Sequence, residues 1–327
     1  MKFKNFLGNQ KVKEQISFLL ESKRLPHAII LEGESGLGKA SLAREIAAAL
    51  VCRASGERPC YSCPQCSKAE KGYHPDIFEY KPSGGAKSFH VDVVRNVIND
   101  IYLSPNEAEH KVYILRNAHF MNESAQNALL KVLEEPPEYA VFILTVENRS
   151  AMLETVLSRA VVLSLNGVDV HAGAEYISNH DENIEFNDAL EAMIAFKGNI
   201  GKAYESIAGG EMQKLTGFVN DICSALTADN EYELIKCTGR LSGRQEICTV
   251  IGMLKTVFRD AVIGSKTGEF LSGRESAVKK LSRTLTDGKL IRLYNMADEL
   301  IAMANKNANS ALLAAKICYS LRSAIDL

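Results

Sequence analysis

The chain has 327 residues, 46% hydrophobic and 24% charged, with a formal net charge of −2. That length predicts two or three domains with ordinary buried cores. The near-neutral balance excludes a globally basic nucleic-acid binder, so any DNA contact must come from a local face or from partner subunits. There is no apolar run of about 18 residues of the kind that spans a bilayer, and Met1-Lys2-Phe3-Lys4-Asn5 carries no apolar signal region. No membrane association is expected, and the predicted location is cytoplasmic.

Residues 4–24 predict a helical lead-in, with Val12, Ile16, Leu19 and Leu20 spaced for one apolar face and Pro26 ending it. His27, without a visible partner, reads as a positioning residue rather than a catalytic one. The run Ala28-Ile29-Ile30-Leu31 predicts a strand, and Leu42 to Leu50 an amphipathic helix. Between them lies Gly33-Glu34-Ser35-Gly36-Leu37-Gly38-Lys39. Strand, glycine loop and helix together are the context in which this spacing makes a phosphate-binding loop. Gly33, Gly36 and Gly38 let backbone N–H groups converge on an anion at a helix N-terminus, and Lys39 would reach its outer phosphates. The next residue is Ala40, where a hydroxyl should hold Mg²⁺; Ser41 is one residue late and points about 100° away.

Eight cysteines fall into two groups. Cys223, Cys237, Cys248 and Cys318 lie in apolar, helix-like sequence and read as small buried hydrophobes. Cys52, Cys60, Cys63 and Cys66 follow the loop helix in a C-x7-C-x2-C-x2-C pattern. Two consecutive C-x2-C turns suit a closed four-thiolate site, and structural zinc is the expected metal. An iron–sulfur cluster is the other metal chemistry the four thiolates allow.

Further strands are expected at Asp76–Tyr80, Lys111–Leu115, Ala140–Thr145 and Val161–Leu165. They alternate with helices at 91–103 and after Asn122, a predicted N-cap, up to Pro136-Pro137. A polar loop, Pro82-Ser83-Gly84-Gly85, precedes the first of these helices. Apolar strands alternating with helices imply a parallel sheet covered on both faces. After about Val168 strand signals vanish. The expected organisation is an α/β phosphate-loop domain over 1–166 with a zinc module at about 51–72. A small helical domain over 167–208 and an all-α domain over 209–327 follow, with Gly209-Gly210 as hinge or linker.

A working phosphoryl-transfer site needs the loop lysine, a hydroxyl on Mg²⁺ and carboxylates at a neighbouring strand tip. That tip reads Arg116-Asn117-Ala118-His119 and has no carboxylate. Arg116 is expected where the metal belongs, and Asn117 cannot act as a base. ATP hydrolysis by this chain is therefore not expected, and whether the loop holds ATP or ADP passively stays open. Ser158-Arg159, just before the last strand, offers an arginine that could act on a neighbouring subunit's nucleotide or be an ordinary surface residue.

Several segments together carry a resemblance: Leu25-Pro26-His27-Ala28, the glycine loop, the four-cysteine insert, His74-Pro75-Asp76, Asn127-Ala-Leu-Leu-Lys-Val-Leu-Glu-Glu-Pro-Pro137 and Leu157-Ser158-Arg159. The chain resembles the bacterial DNA polymerase III clamp-loader subunits of the AAA+ class. That resemblance implies an AAA+ domain, a lid and a helical collar, whose last helix is matched by 307–313. It also implies loading of a sliding clamp on primed DNA within a ring that contains gamma/tau and delta subunits. The family's motor subunits carry Asp-Glu where Arg116 and Asn117 stand, and Thr or Ser at position 40. Their sensor threonines correspond to about Val146-Glu147, and their second-sensor arginine to about Gly201. These departures favour a delta-prime-like stator over a gamma/tau-like ATPase with an atypical metal site. The family's Ser-Arg-Cys arginine finger is matched by Ser158 and Arg159, with Ala160 in place of the cysteine.

Overall fold

The computed structural model describes residues 1–22, 25–82, 89, 91–228, 230–267, 270–306 and 310–326. The chain divides into two compact units, Met1–Val168 and Asp169–Leu327.

The first unit begins with α1 (Gln10–Glu21), then β1 (Ala28–Glu32), α2 (Lys39–Val51) and α3 (Pro64–Glu70). β2 (Ile77–Tyr80), α4 (Val91–Asp100), β3 (Lys111–Leu115) and α5 (Glu123–Glu134) follow. β4 (Ala140–Val146), a single turn α6 (Glu154–Leu157) and β5 (Val161–Ser164) complete it. The five strands are all parallel, in the order β2-β3-β4-β1-β5. Side chains from β1, β3 and β4 are buried on both faces, with separate apolar cores on either side of the sheet. This is why these strands read as continuous apolar runs instead of alternating ones.

Several boundaries follow from single residues. α1 starts at Gln10, later than periodicity suggests, because Gly8 and Asn9 both take left-handed conformations. Asn122 caps α5 as expected, its Oδ1 accepting the Ala125 N–H at 2.8 Å. α5 stops at Glu134, since Glu135 precedes a proline and leaves the helical region. α4 ends at Asp100, short of the predicted 103. There the buried Lys111 ammonium donates to the Asp100 and Leu103 carbonyls at 2.9 and 3.3 Å and meets the Asp100 carboxylate at 2.9 Å. Residues 83–85 of the predicted polar loop and 307–309 of the predicted last helix lie outside the described residues.

The second unit is helical among its described residues: α7 (Val170–His180), α8 (Phe186–Ala195), α9 (Ile200–Ala208), α10 (Glu211–Thr227) and α11 (Glu231–Gly239), then α12 (Arg244–Thr267), α13 (Glu275–Thr284), α14 (Asp287–Ala304) and α15 (Ser310–Asp326). No helix among the described residues is long and apolar enough to cross a membrane. Gly210, at φ +71°, lets α10 start with only two residues between it and α9. Arg274, almost fully buried, joins three helices of this unit. Its guanidinium donates to Asn220 Oδ1 at 2.6 Å and Thr216 Oγ1 at 2.9 Å on α10, and pairs with Glu191 on α8. Its own backbone leads directly into α13. Cys223, Cys237 and Cys318 are buried and Cys248 half-buried, as expected of packing residues, and burial pushes the Cys223 thiol up to about 12.

Replacing Arg274 by Ala leaves the Glu191 carboxylate without its strongest partner in a half-buried setting. Chemical denaturation should show a loss of about 3 kcal/mol, and Arg274→Lys should recover only part of it, since an ammonium cannot fork between two helices.

Candidate functional site

The glycine loop forms at the carboxyl end of β1, between its neighbours β4 and β5. Gly33 donates to the Val146 carbonyl at 3.1 Å, and a Cβ there would lie 2.9 Å from the Leu165 carbonyl oxygen. Gly36 and Gly38 take φ of +88° and +80°. Only glycine meets these demands without strain. The four predicted loop residues therefore lie together at the start of α2. The Lys39 ammonium, buried, folds back on the loop and donates to the Gly33 and Glu34 carbonyls at 2.5 and 2.6 Å. An anion entering the loop competes with these carbonyls for the same charge.

At the tip of β3 the expected cation is present but engaged. Arg116 pairs with Glu79 on β2 at 3.1 Å, and Glu79 also takes a two-pronged contact from Arg44 on α2 at 2.8 Å. Burial raises the Glu79 pKa, and the two guanidiniums outweigh it, holding the carboxyl below its ordinary range. Asn117, at φ +53°, spends its N–H on Thr145 Oγ1 of β4 at 2.9 Å. One further side chain here was passed over in the sequence. His119 lies close enough to Lys39 that the ammonium adds to burial in lowering its pKa, against the opposing charge of Glu147. Its place in the Arg116–His119 tip was the only sequence signal for it.

Arg159 sits just after α6, against the C-terminal end of α5. Its Nη1 donates to the Thr155 carbonyl at 2.9 Å, and its Nη2 pairs with Glu134 at 2.9 Å. Ser158 Oγ accepts from the same Nη1 at 3.4 Å. Beside them lies an open groove of about 430 Å³ lined by Arg149, Ser150, Glu154, Leu157, Ser158 and Val162. Gln126, buried on α5, fixes this edge. Its amide donates to the Met121 and Ala151 carbonyls and accepts from the Leu153 N–H at 2.8 Å. Sequence reasoning missed Gln126, since nothing marks a glutamine one position ahead of the Asn127 motif as buried and bonded to a distant turn.

Cys52, Cys60, Cys63 and Cys66 converge, with all four Sγ atoms within 4.8 Å of one another. The Cys60 and Cys66 sulfurs are 3.9 Å apart, close to the roughly 3.8 Å that Zn–S bonds of about 2.3 Å impose on a tetrahedron. The backbone N–H groups of Cys63 and Cys66 each donate to the preceding ligand's sulfur at 3.4 Å. Backbone donation, first from Ser62, brings the Cys60 thiol down to about 5, whereas burial pushes Cys66 up. The donor set, spacing and second-layer N–H groups fit a thiolate-bound metal.

The His74-Pro75-Asp76 segment fastens this module to the sheet. Asp76, fully buried at the threshold of β2, accepts the backbone N–H groups of Asn106, Glu107 and Ala108 at 2.6 to 2.8 Å. His74 Nδ1 accepts the Asp76 N–H at 3.1 Å, so its Nε2 donates to Gln65 Oε1 on α3 at 2.7 Å. Lys68 of α3 pairs with Glu107 at 2.6 Å.

Comparison with known proteins adds to this geometry. Residues 8–169 match the family described as DNA polymerase III, delta subunit. The chain is 30% identical over 228 residues to DNA polymerase III subunit delta' of Haemophilus influenzae, covering 70% of this chain and 69% of that one. It belongs to the bacterial DNA polymerase III clamp-loader subunits of the AAA+ class. This clamp-loader subunit is also 26% identical over 320 residues to subunit tau of Escherichia coli, covering 89% of itself and 49% of tau. Against subunit gamma of Buchnera aphidicola from Acyrthosiphon pisum it is 34% identical over 164 residues, covering 50% of itself and 45% of gamma. It thus spans about half the length of the tau and gamma relatives it matches.

The His74–Asp76 knot makes the clamp-loader subunit acid-sensitive. Burial lowers the His74 pKa, so the unfolded chain takes up that proton first, and the stability this residue lends falls as pH drops below about 6.5. Burial raises the Asp76 pKa, but the three backbone donors and Asn106 outweigh it and leave it depressed, adding a second loss once pH falls below about 4. Urea unfolding of the wild type should weaken progressively from pH 7 to pH 4, and His74→Gln should flatten the upper part of that slope.

Proposed function

We propose that this chain is the delta-prime-type stator of a DNA polymerase III clamp loader. In this reading it does not hydrolyse ATP and lends Arg159 to a neighbouring ATPase. The observation that carries this is the state of the metal site. Ala40 offers no hydroxyl, and the β3 tip offers an arginine tied to Glu79 and an asparagine whose N–H serves Thr145. Mg²⁺ has lost both of its usual protein anchors, and each is worth several kcal/mol of transition-state stabilisation.

Arg159 works by charge in this proposal. Its pair with Glu134 is partly exposed and worth about 1 kcal/mol or less, so phosphate oxygens of an adjoining subunit can replace the carboxylate at little cost. The Nη2 edge released from Glu134 then donates to the transferring phosphoryl group as a charge-assisted bond, while Nη1 stays on the Thr155 carbonyl and fixes the side chain. Ser158 supports the same edge. Gly33, Gly36, Gly38 and Lys39 form a retained phosphate cradle that holds ATP or ADP passively or stands empty.

The partners proposed are gamma/tau and delta subunits in a hetero-oligomeric cytoplasmic ring. The sliding clamp and primed DNA are met mainly through that complex. Within the helical half, 167–208 serves as the lid and 209–327 as the collar that holds the ring. Cys52, Cys60, Cys63 and Cys66 hold one structural Zn²⁺. A gamma/tau-type ATPase with an atypical metal site is the second reading, favoured by the tau match over 89% of the chain.

Steady-state ATP hydrolysis by the isolated chain should be absent; turnover abolished by Lys39→Ala would establish the second reading instead. In the assembled loader, Arg159→Ala should slow hydrolysis about 10³-fold at the site it serves while the complex still forms on a sizing column. Elemental analysis of protein purified without added metal should find about one zinc per chain, lost in Cys63→Ser.

A further inference from the structure

We infer that the metal module has a positioning role at the glycine loop, exerted through the N-terminal segment 1–6, which it straps against the back of that loop. The inference rests on the reading of the four cysteines as a metal site.

The strap is held at one end by the module. The Lys2 N–H donates to the Arg58 carbonyl at 3.0 Å, and its ammonium pairs with Glu57 at 3.1 Å. Tyr61, the residue after ligand Cys60, accepts the Lys4 N–H on its hydroxyl at 3.2 Å and donates to the Lys2 carbonyl at 3.4 Å. Lys4 also reaches Glu70 on α3 at 3.7 Å. These partners all lie between 57 and 70, in the stretch whose path the cysteines fix.

The other end of the strap lies under the loop. The Asn5 N–H donates to Glu45 Oε1 of α2 at 2.5 Å, and Glu45 is only 4% exposed. Phe6 then packs beneath Gly38, so closely that a Cβ on that glycine would lie 3.2 Å from the ring. Among the described residues the buried Glu45 Oε2 accepts no well-formed hydrogen bond, and Tyr61 of the module and the Lys13 ammonium lie within electrostatic reach of this carboxylate. A carboxylate in that state is tolerated only while its neighbours stay in place, so release of the strap would let water in and let it move. The same module grips α2 from the far end, because ligand Cys52 directly follows Val51, the last residue of the helix that starts at Lys39. The loop helix is thus anchored behind by a metal ligand and below by a segment that the metal module holds. Four coordinate bonds replace the large apolar core that so small an insert cannot build.

Hydrogen exchange of the full chain, read in peptides covering 1–8 and 33–42, tests this with three samples. Metal analysis of the starting protein comes first; an absence of bound metal would overturn the metal reading and the inference with it. Chelator-stripped protein should exchange both peptides at least about threefold faster than the metal-bound form, and zinc addition should restore protection. Tyr61→Ala, which keeps all four cysteines, should retain its metal and still accelerate exchange in 1–8, with a smaller rise in 33–42. Faster exchange confined to 52–71 on metal removal would overturn the inference, as would unchanged 1–8 exchange in Tyr61→Ala. Either result would leave the metal site itself intact.

Discussion

The burial of β1 on both faces, hydrogen-bonded between β4 and β5, is the constraint on which the rest of the first unit depends. Ala28 to Leu31 have essentially no exposure, so the chain leaving β1 must turn without side chains that would strike β5. Gly33 meets that demand, and its contact with the Leu165 carbonyl explains why no larger residue fits there. The turn aims the N-terminus of α2 across the carboxyl edge of the sheet. The tips of β3 and β4 reach the same edge, which is why Asn117 meets Thr145 and His119 lies near Lys39 although they are distant in sequence.

The cations at the candidate sites share one property: each is held by a group of the same chain. Lys39 lies on the carbonyls of its own loop, Arg116 on Glu79, and Arg159 on Glu134 and the Thr155 carbonyl. Their environments separate what they can do. Lys39 is buried, and releasing it exposes two loop carbonyls. Arg116 shares a half-buried carboxylate with Arg44. Arg159 sits at an open groove with an exposed partner, where exchange for a phosphate costs least. What sets Arg159 apart from Arg116 is its partner: Glu134 is exposed, whereas Glu79 is half-buried.

Buried polar groups join the four-cysteine module to the threshold of the sheet. Asp76 gathers three successive backbone N–H groups, and His74 bridges β2's threshold to α3. Such a joint is strong only while every partner is in place, because each lost bond leaves a buried donor without solvent. It also ties the module's stability to proton uptake, which an apolar joint would not do.

The sequence by itself determined the sheet, the glycine loop, the convergence of four cysteines, the Asn122 cap and the missing metal anchors. These are local or periodic features, in which two or three neighbouring residues fix the backbone or the face. β3 matches the expected Lys111–Leu115, and its end was legible because the apolar run gives way there to Arg116-Asn117. What only the tertiary structure decided was where each charge goes. Arg116 looked from its position like a cation on the metal site, but its carboxylate partner lies on the adjacent strand, 37 residues away. Nothing in the sequence pairs Glu134, Gln126 or Glu45 with Arg159, Leu153 or Asn5; these partners lie on segments that no sequence period connects. Pairing between side chains far apart in the chain depends on strand order and helix approach, and those exist only once the fold has formed.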